Sequence, residues 1–167
     1  MTLRLIVTLA IALIISACGG GGGGGGDNAN TVLEGTWVKE CGPGIGSGFY
    51  DEVTLIFTNT NLFSTIKNYT DSDCTQLQEE PFANATIVIG NPFTTTPGML
   101  AATEIDSTIP NPSGPFQAQT FDIFFISDNN VRPILYFGDR QNSGDGTTAL
   151  TRPTTIDLSR FYIKQPT

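Results

Sequence analysis

Short segments in which apolar and polar residues alternate, each followed by Gly, Pro, Asn or Asp, run through most of this 167-residue chain. Side chains alternate between two faces along a β-strand, so a period of two predicts half-buried strands. The low content of charged residues (14%) and the many Gly and Phe residues also favour strands and turns over helices. Nine strands are predicted, near residues 33–41, 49–58, 62–70, 74–79, 84–90, 99–107, 120–127, 131–138 and 155–163.

The links between these segments determine the expected architecture. Nearly all are short, such as the Asn59-Thr60-Asn61 and Asp128-Asn129-Asn130 turns, so consecutive strands can pair as neighbours. Many short strands without a helix are typical of an up-and-down barrel or a β-sandwich. We therefore expect an all-β fold with a single antiparallel up-and-down barrel of about eight or nine strands. A β-sandwich is the alternative.

The first 17 residues have the features of a secretory signal peptide. Arg4 supplies the positive charge, and the apolar run at residues 5–15 is too short to span a bilayer. The sequence Ser16-Ala17-Cys18 then resembles the lipobox of bacterial lipoproteins. The resemblance implies cleavage before Cys18, lipid on its thiol, and anchoring to a membrane of the bacterial cell envelope. An ordinary signal peptide with an incidental cysteine is the alternative.

An unbroken glycine run at residues 19–26, followed by Asp27-Asn28-Ala29-Asn30, predicts a flexible tether with a reach of roughly 20 Å. A phosphate-binding glycine loop would need a strand before it and a helix after it, and neither is predicted. Gly19, not Asp, follows Cys18, which by resemblance to enterobacterial lipoproteins implies the outer membrane. The expected parts are a signal peptide (1–17), the lipidated cysteine and tether (18–32) and one barrel domain (33–167).

The other two cysteines, Cys41 and Cys74, form an even pair in a chain predicted to be exported. A disulfide is the expected state of such a pair. In a meander of strands, both cysteines lie at the same end of the sheet. We therefore expect the bridge to hold the base of the 42–48 loop across one mouth of the barrel.

The net charge and the residue composition argue against several classes of function. The formal charge of −8 disfavours binding to nucleic acid, and the absence of His excludes His-dependent nucleophiles. Neighbouring carboxylates such as Asp51 and Glu52 point to opposite faces of a strand, so they cannot form the facing pair of a glycosidase. Most acidic residues are expected to be solvated. No enzymatic activity, metal or cofactor is expected, although the 71–73 and 139–145 loops carry oxygen ligands suited to weak calcium binding.

Gly35-Thr36-Trp37, near the start of the predicted barrel, resembles the Gly-x-Trp signature of the lipocalin superfamily. Together with Cys41 and the Tyr69-x-Asp71-x-x-Cys74 spacing, it is similar to a group of bacterial lipocalin-like lipoproteins of unknown function. The resemblance would cover roughly residues 31–167. It implies a late Arg packed over the signature Trp, for which Arg152 and Arg160 are the candidates. The chain departs from the superfamily because it has no clear Thr-Asp-Tyr motif and no helix after the barrel.

The resemblance also implies a cavity for a small apolar ligand. The candidate lining residues are Trp37, Val53, Leu55, Phe57, Ile87, Ile89, Met99, Ile105, Phe121, Ile123 and Phe125. Two functions remain open. The first is an envelope lipoprotein that binds a small apolar molecule, for which a void of a few hundred Å³ would be expected. The second is a structural or interaction lipoprotein whose core is packed and whose loops contact an envelope partner.

Overall fold

The computed structural model of the protein describes residues 32–44, 48–112, 116–128 and 131–166. The predicted signal peptide (1–17), Cys18 and the tether as far as residue 31 lie outside the described residues. So do the middle of the 42–48 loop and the last two residues of the predicted 128–130 turn.

Nine strands form close to the predicted places. They are β1 (Gly35–Pro43), β2 (Tyr50–Thr58), β3 (Asn61–Tyr69), β4 (Leu77–Glu79), β5 (Phe82–Thr94), β6 (Ala101–Thr108), β7 (Gln119–Ser127), β8 (Ile134–Gly138) and β9 (Ile156–Lys164). A short 3₁₀ helix covers Ala149–Thr151. The fifth strand is longer than predicted because a bulge between Ile89 and Pro92 accommodates a proline, which has no N–H to donate.

The strands close into an antiparallel up-and-down barrel. Eight of them follow one another around it in chain order, and β1 pairs with both β2 and β9. The extra strand, β4, pairs with the end of β3. The fold is therefore the predicted lipocalin-like barrel of eight strands plus one, and the β-sandwich alternative is wrong.

The barrel has two distinct ends. At the end where β1 begins and β9 finishes, the chain enters at Val32, so we call this the tether end. At the opposite end, which we call the bridge end, a disulfide joins Cys41 to Cys74. The predicted disulfide, and its position at one end of the sheet, are confirmed.

Large apolar side chains fill the barrel. The buried core consists of Leu33, Trp37, Val53, Leu55, Phe57, Ile87, Ile105, Phe124, Leu135 and Tyr162, with Leu62, Ile66, Ile89, Ile126 and Phe137 packed against it. The indole N–H of Trp37 donates a 2.6 Å hydrogen bond to the backbone oxygen of Leu33. This contact satisfies the polar group of a fully buried side chain and fixes the start of β1 against the core.

The segment that links β8 to β9 folds over the outside of the barrel. Arg152 lies 2.7 Å from Asp106 and 3.6 Å from Glu104, both on the outer face of β6, and its guanidinium is 5.6 Å from the centre of the Phe121 ring. Pro153 is fully buried in this layer. A second, smaller apolar layer thus covers the outer face of β6 and β7.

Candidate functional site

An open cleft of about 420 Å³ lies at the tether end. Its lining is mostly apolar. It comes from the start of the described chain, the start of β6, the last residues of β7 and β9, and the segment before β8. The lining residues are Val32, Trp37, Ala101, Thr103, Phe124, Phe125, Ile126, Asp128, Pro133 and Lys164. The volume falls within the range of small-molecule sites, and the cleft is open to solvent.

Lys164 covers Trp37 in the lining of this cleft. Its ammonium nitrogen lies 5.1 Å from the centre of the Trp37 ring, within the range of a cation–π contact. Gly35 makes room for the lysine stem. A Cβ at that position would lie 3.4 Å from Lys164 Cε, and the backbone φ of +110° is one that glycine adopts readily. Gly35 is therefore a point at which another side chain lies close to the backbone.

The predicted arginine over Trp37 is wrong. Arg152 lies on the outer face of the barrel, and Arg160 pairs with Asp51 at the bridge end. Lys164, and not an arginine, lies over the Trp37 ring. The reason is the register between β1 and β9, which places Lys164 directly opposite Trp37. Two residues directly opposite one another present their side chains on the same face of the sheet, so register selects the lysine.

The charges in the cleft differ in sign. Lys164 and Asp128 both line it, and in the part of the chain that the structure describes neither forms an ion pair. Lys164 therefore has donor capacity left for an acidic group on a ligand, since an ammonium group can make three hydrogen bonds.

The predicted ligand-binding residues divide into three groups. Val53, Leu55, Phe57, Ile87 and Ile105 are buried in the core, with Ile89 packed against them, so they fill the interior. Trp37 and Phe125 line the cleft. Met99, Phe121 and Ile123 do neither: Met99 is 83% exposed at a turn, and the other two lie on the outer face of β7.

The error on β7 has a clear physical cause. The inward residues are Phe124 and Ile126, which contact the core, whereas Phe121, Ile123 and Phe125 alternate with them. Both faces of β7 are apolar because the β8–β9 segment covers the outer one. Alternation alone therefore could not indicate which set faces inward. The missed cleft residues Thr103, Asp128, Pro133 and Lys164 carry no distinctive sequence signal, since strand register and the ends of strands bring them together.

A second polar cluster lies at the bridge end. Asp51 is only 4% exposed, and its carboxylate binds Lys39 Nζ at 2.7 Å and Arg160 Nη2 at 2.6 Å. Lys39 also donates to the backbone oxygen of Asp51 at 3.0 Å. Burial lowers the pKa of the Lys39 ammonium below its ordinary value. Asp51 is thus an exception to the expectation that most acidic residues are solvated. Its phase along β2, shared with Val53 and Leu55, was the available signal.

Asp122 lies where β7 and β8 separate. The last pair between these strands is Phe124 with Phe137. Beyond it, Asp122 Oδ1 accepts from the backbone N–H groups of Ile123 (2.8 Å) and Gly138 (3.1 Å), and Arg140 binds the other carboxylate oxygen. Burial raises the pKa of the Asp122 carboxyl. The carboxylate thus takes the place of missing ladder bonds, which is a structural role.

The loops considered for calcium use their carboxylates within the turns. Asp71 accepts from the hydroxyl of Thr75 at 2.6 Å and from the backbone N–H of Gln76 at 2.8 Å. Asp139 binds the side chain of Asn142 in the same manner. Among the described residues, no three acidic or cysteine side chains are grouped to hold a metal ion.

No protein-family model matches the chain. A search of curated proteins also finds no match.

Over the residues that the structure describes, no helix has the length and apolar character needed to cross a membrane.

Proposed function

We propose that this protein is a lipid-anchored binding protein of the bacterial cell envelope, on the outer membrane, and that it belongs among the lipocalin-like lipoproteins. Its ligand is a small molecule with an apolar body and an acidic group, bound in the cleft at the tether end. We propose no enzymatic activity, cofactor or nucleic acid partner.

The cleft over Trp37 and Lys164 is the observation that carries this proposal. It has room for a small ligand, its floor is apolar, and the lysine can pair with a carboxylate or phosphate. Binding in the cleft differs from binding inside the barrel, where large side chains occupy the interior. The sequence Ser16-Ala17-Cys18 and the glycine run support the lipid anchor.

Binding can be measured with the chain from residue 19 onward, which contains the whole closed barrel. Dodecanoate and dodecanol share an apolar body and differ in charge. We expect native mass spectrometry to detect dodecanoate bound one-to-one, with a saturable change in the fluorescence of Trp37, the only tryptophan.

A Lys164→Met variant keeps an apolar stem and removes the charge. Loss of a charge-assisted hydrogen bond costs about 1.5 kcal/mol or more, so dodecanoate should bind about tenfold more weakly. Dodecanol binding should change little. Lys67→Met, which removes an exposed cation far from the cleft, is the matched control. Equal effects of the two variants, or no saturable binding, would contradict the proposal.

The filled interior favours a second function, a structural or interaction lipoprotein that contacts an envelope protein. An outward row of aromatic rings could serve it: Phe125 and Tyr136 lie 6.0 Å apart, and Tyr136 and Phe161 lie 6.3 Å apart. Crosslinking in the intact envelope distinguishes the two functions. A discrete protein adduct through Phe161, with no ligand retained in the cleft, would favour the second.

A further inference from the structure

The tether joins the barrel at a fixed place. Leu33 is fully buried and bound through its backbone oxygen to the Trp37 indole. The next residue, Glu34, accepts a 2.9 Å hydrogen bond from the backbone N–H of Asn59, in the β2–β3 turn. The chain therefore leaves the barrel at the rim that also holds the cleft, and Val32 contributes to the lining of that cleft.

The length of the tether limits how far this rim can lie from the anchor. About fourteen residues separate Cys18 from Val32, and a glycine-rich chain of that length has a typical reach of roughly 20 Å. A nine-residue strand such as β1 is itself about 30 Å long. With Cys18 in a membrane, a tether of this length holds the tether end at a typical distance of roughly 20 Å or less from the lipid surface.

The surface chemistry of the two ends agrees with this arrangement. At the tether end, three apolar side chains project into solvent: Val32 (68% exposed), Met99 (83%) and Val131 (fully exposed). The cations Arg132 and Lys164 lie at the same end and offset Glu34 and Asp128.

The bridge end, in contrast, is acidic. Asp71, Asp73, Glu79 and Glu80 lie in and beside the β3–β4 turn. The cations of this end, Lys39, Arg160 and Lys67, lie beside the carboxylates of Asp51 and Glu52. Negative charge is repelled from an anionic lipid surface, whereas exposed apolar side chains beside cations are typical of residues at a membrane interface. Among the described residues, the excess of negative over positive charge thus lies at the bridge end.

We infer, on the basis of the proposed lipid anchor, that the tether end rests on the lipid surface with Val32, Met99 and Val131 at headgroup level. The cleft then opens toward the membrane, and the acidic bridge end points away from it. The partner of this surface is the bilayer that holds the anchor.

The test uses the full lipidated chain in vesicles of phosphatidylethanolamine and phosphatidylglycerol. A photoreactive benzoyl-phenylalanine is placed at Met99 or Val131, and at Leu77 or Phe82 as matched controls. The two controls are exposed apolar residues of the bridge half of the barrel, 52% and 69% accessible. After irradiation, we expect lipid adducts, counted by mass spectrometry, to be several-fold more frequent at Met99 and Val131 than at Leu77 and Phe82.

Two kinds of failure can be told apart in the same samples. The intact mass reports whether Cys18 carries acyl chains, and a chain without them would overturn the anchor and the inference together. An acylated chain whose adducts are equally frequent at all four positions, or concentrated at Leu77 and Phe82, would overturn the orientation alone. Dodecanoate binding, measured separately, tests the cleft.

Discussion

Asp51 joins three strands at the bridge end. It lies on β2 and binds Lys39 of β1 and Arg160 of β9. The backbone pairs between β1 and β9 are only two, Trp37 with Lys164 and Val38 with Ile163. The ion cluster therefore holds the first and last strands together where the backbone ladder does not. Arg160 also reaches the backbone oxygen of Pro43 across the same gap, at 3.4 Å.

Replacing Asp51 by Asn should destabilise the barrel strongly. The amide would leave Lys39 and Arg160 buried without a countercharge, and breaking a buried ion pair in this way costs about 3–5 kcal/mol. Chemical denaturation measures the change in the free energy of unfolding. The neighbouring Glu52→Gln is the control, because Glu52 is half-exposed and 4.0 Å from Lys67, and it should cost no more than about 1 kcal/mol. Similar values for the two variants would show that the cluster does not close the seam.

Asp71 gives a prediction for acidic pH. The hydroxyl of Thr75 and the backbone N–H groups of the turn donate to its carboxylate and lower its pKa below the ordinary value of 3.8. Between the folded and unfolded pKa values, the unfolded chain binds more protons, so stability rises with pH. The contribution is complete above pH 3.8 and is lost as the pH falls through the folded pKa. Asp71→Asn should therefore flatten the loss of unfolding free energy below pH 4. An unchanged slope would contradict this.

At the scale of elements, alternation and turn residues predicted where nine strands lie, because each strand is short and ends at a turn-forming residue. They could not predict how strands meet across the sheet. The contact between Lys164 and Trp37 depends on the register of two strands far apart in the sequence. The orientation of β7 depends on the β8–β9 segment, whose Arg152 binds Asp106 and the backbone oxygen of Asp122. Such long-range contacts leave no local period to detect.

The disulfide between Cys41 and Cys74 links two elements of the fold at the bridge end. Cys41 and Cys74 lie on either side of β2, a separation of about 10 Å in a flat sheet. Barrel curvature and a bulge between Lys39 and Gly42 bring their Cα atoms to 6.0 Å. The bridge thus ties β1 to the β3–β4 turn over the start of β2.

Replacing both cysteines by Ser should lower stability. The bridge spans 33 residues, and the chain-entropy model gives about 3.5–4 kcal/mol for a loop of that size, as an upper value. The measurement is denaturant unfolding of the variant beside the oxidised and the chemically reduced parent chain. The reduced parent and the variant should agree. A loss below about 1 kcal/mol would mean that the unfolded chain is already restricted without the bridge.

For the whole molecule, closure depends on β9. It supplies Tyr162 to the core, Arg160 to the ion cluster and Lys164 to the cleft. The site and the fold therefore share one strand, and the fold cannot be complete without it. The two clusters also lie at opposite ends, so damage to the bridge end need not alter the chemistry of the cleft directly.

A chain that stops after Thr155 should lack a cooperative unfolding transition, and the emission of Trp37 should shift to the red as the indole becomes hydrated. A chain that stops after Gln165 retains β9 and the hydrogen bond from Gln165 to the backbone oxygen of Thr36, and it should behave like the parent. Fluorescence during denaturant titration measures both. A cooperative transition in the shorter chain would show that seven of the barrel strands suffice.

Because β1 pairs with β9, the barrel cannot close until β9 has been synthesised. A chain made and delivered from its N-terminus exposes β1 long before β9 exists, so one edge of β1 stays unpaired until β9 has been made. The barrel can complete its ring only when residue 164 is available. A chain cut before β9 would therefore keep an open sheet with unpaired strand edges, which can pair with other chains.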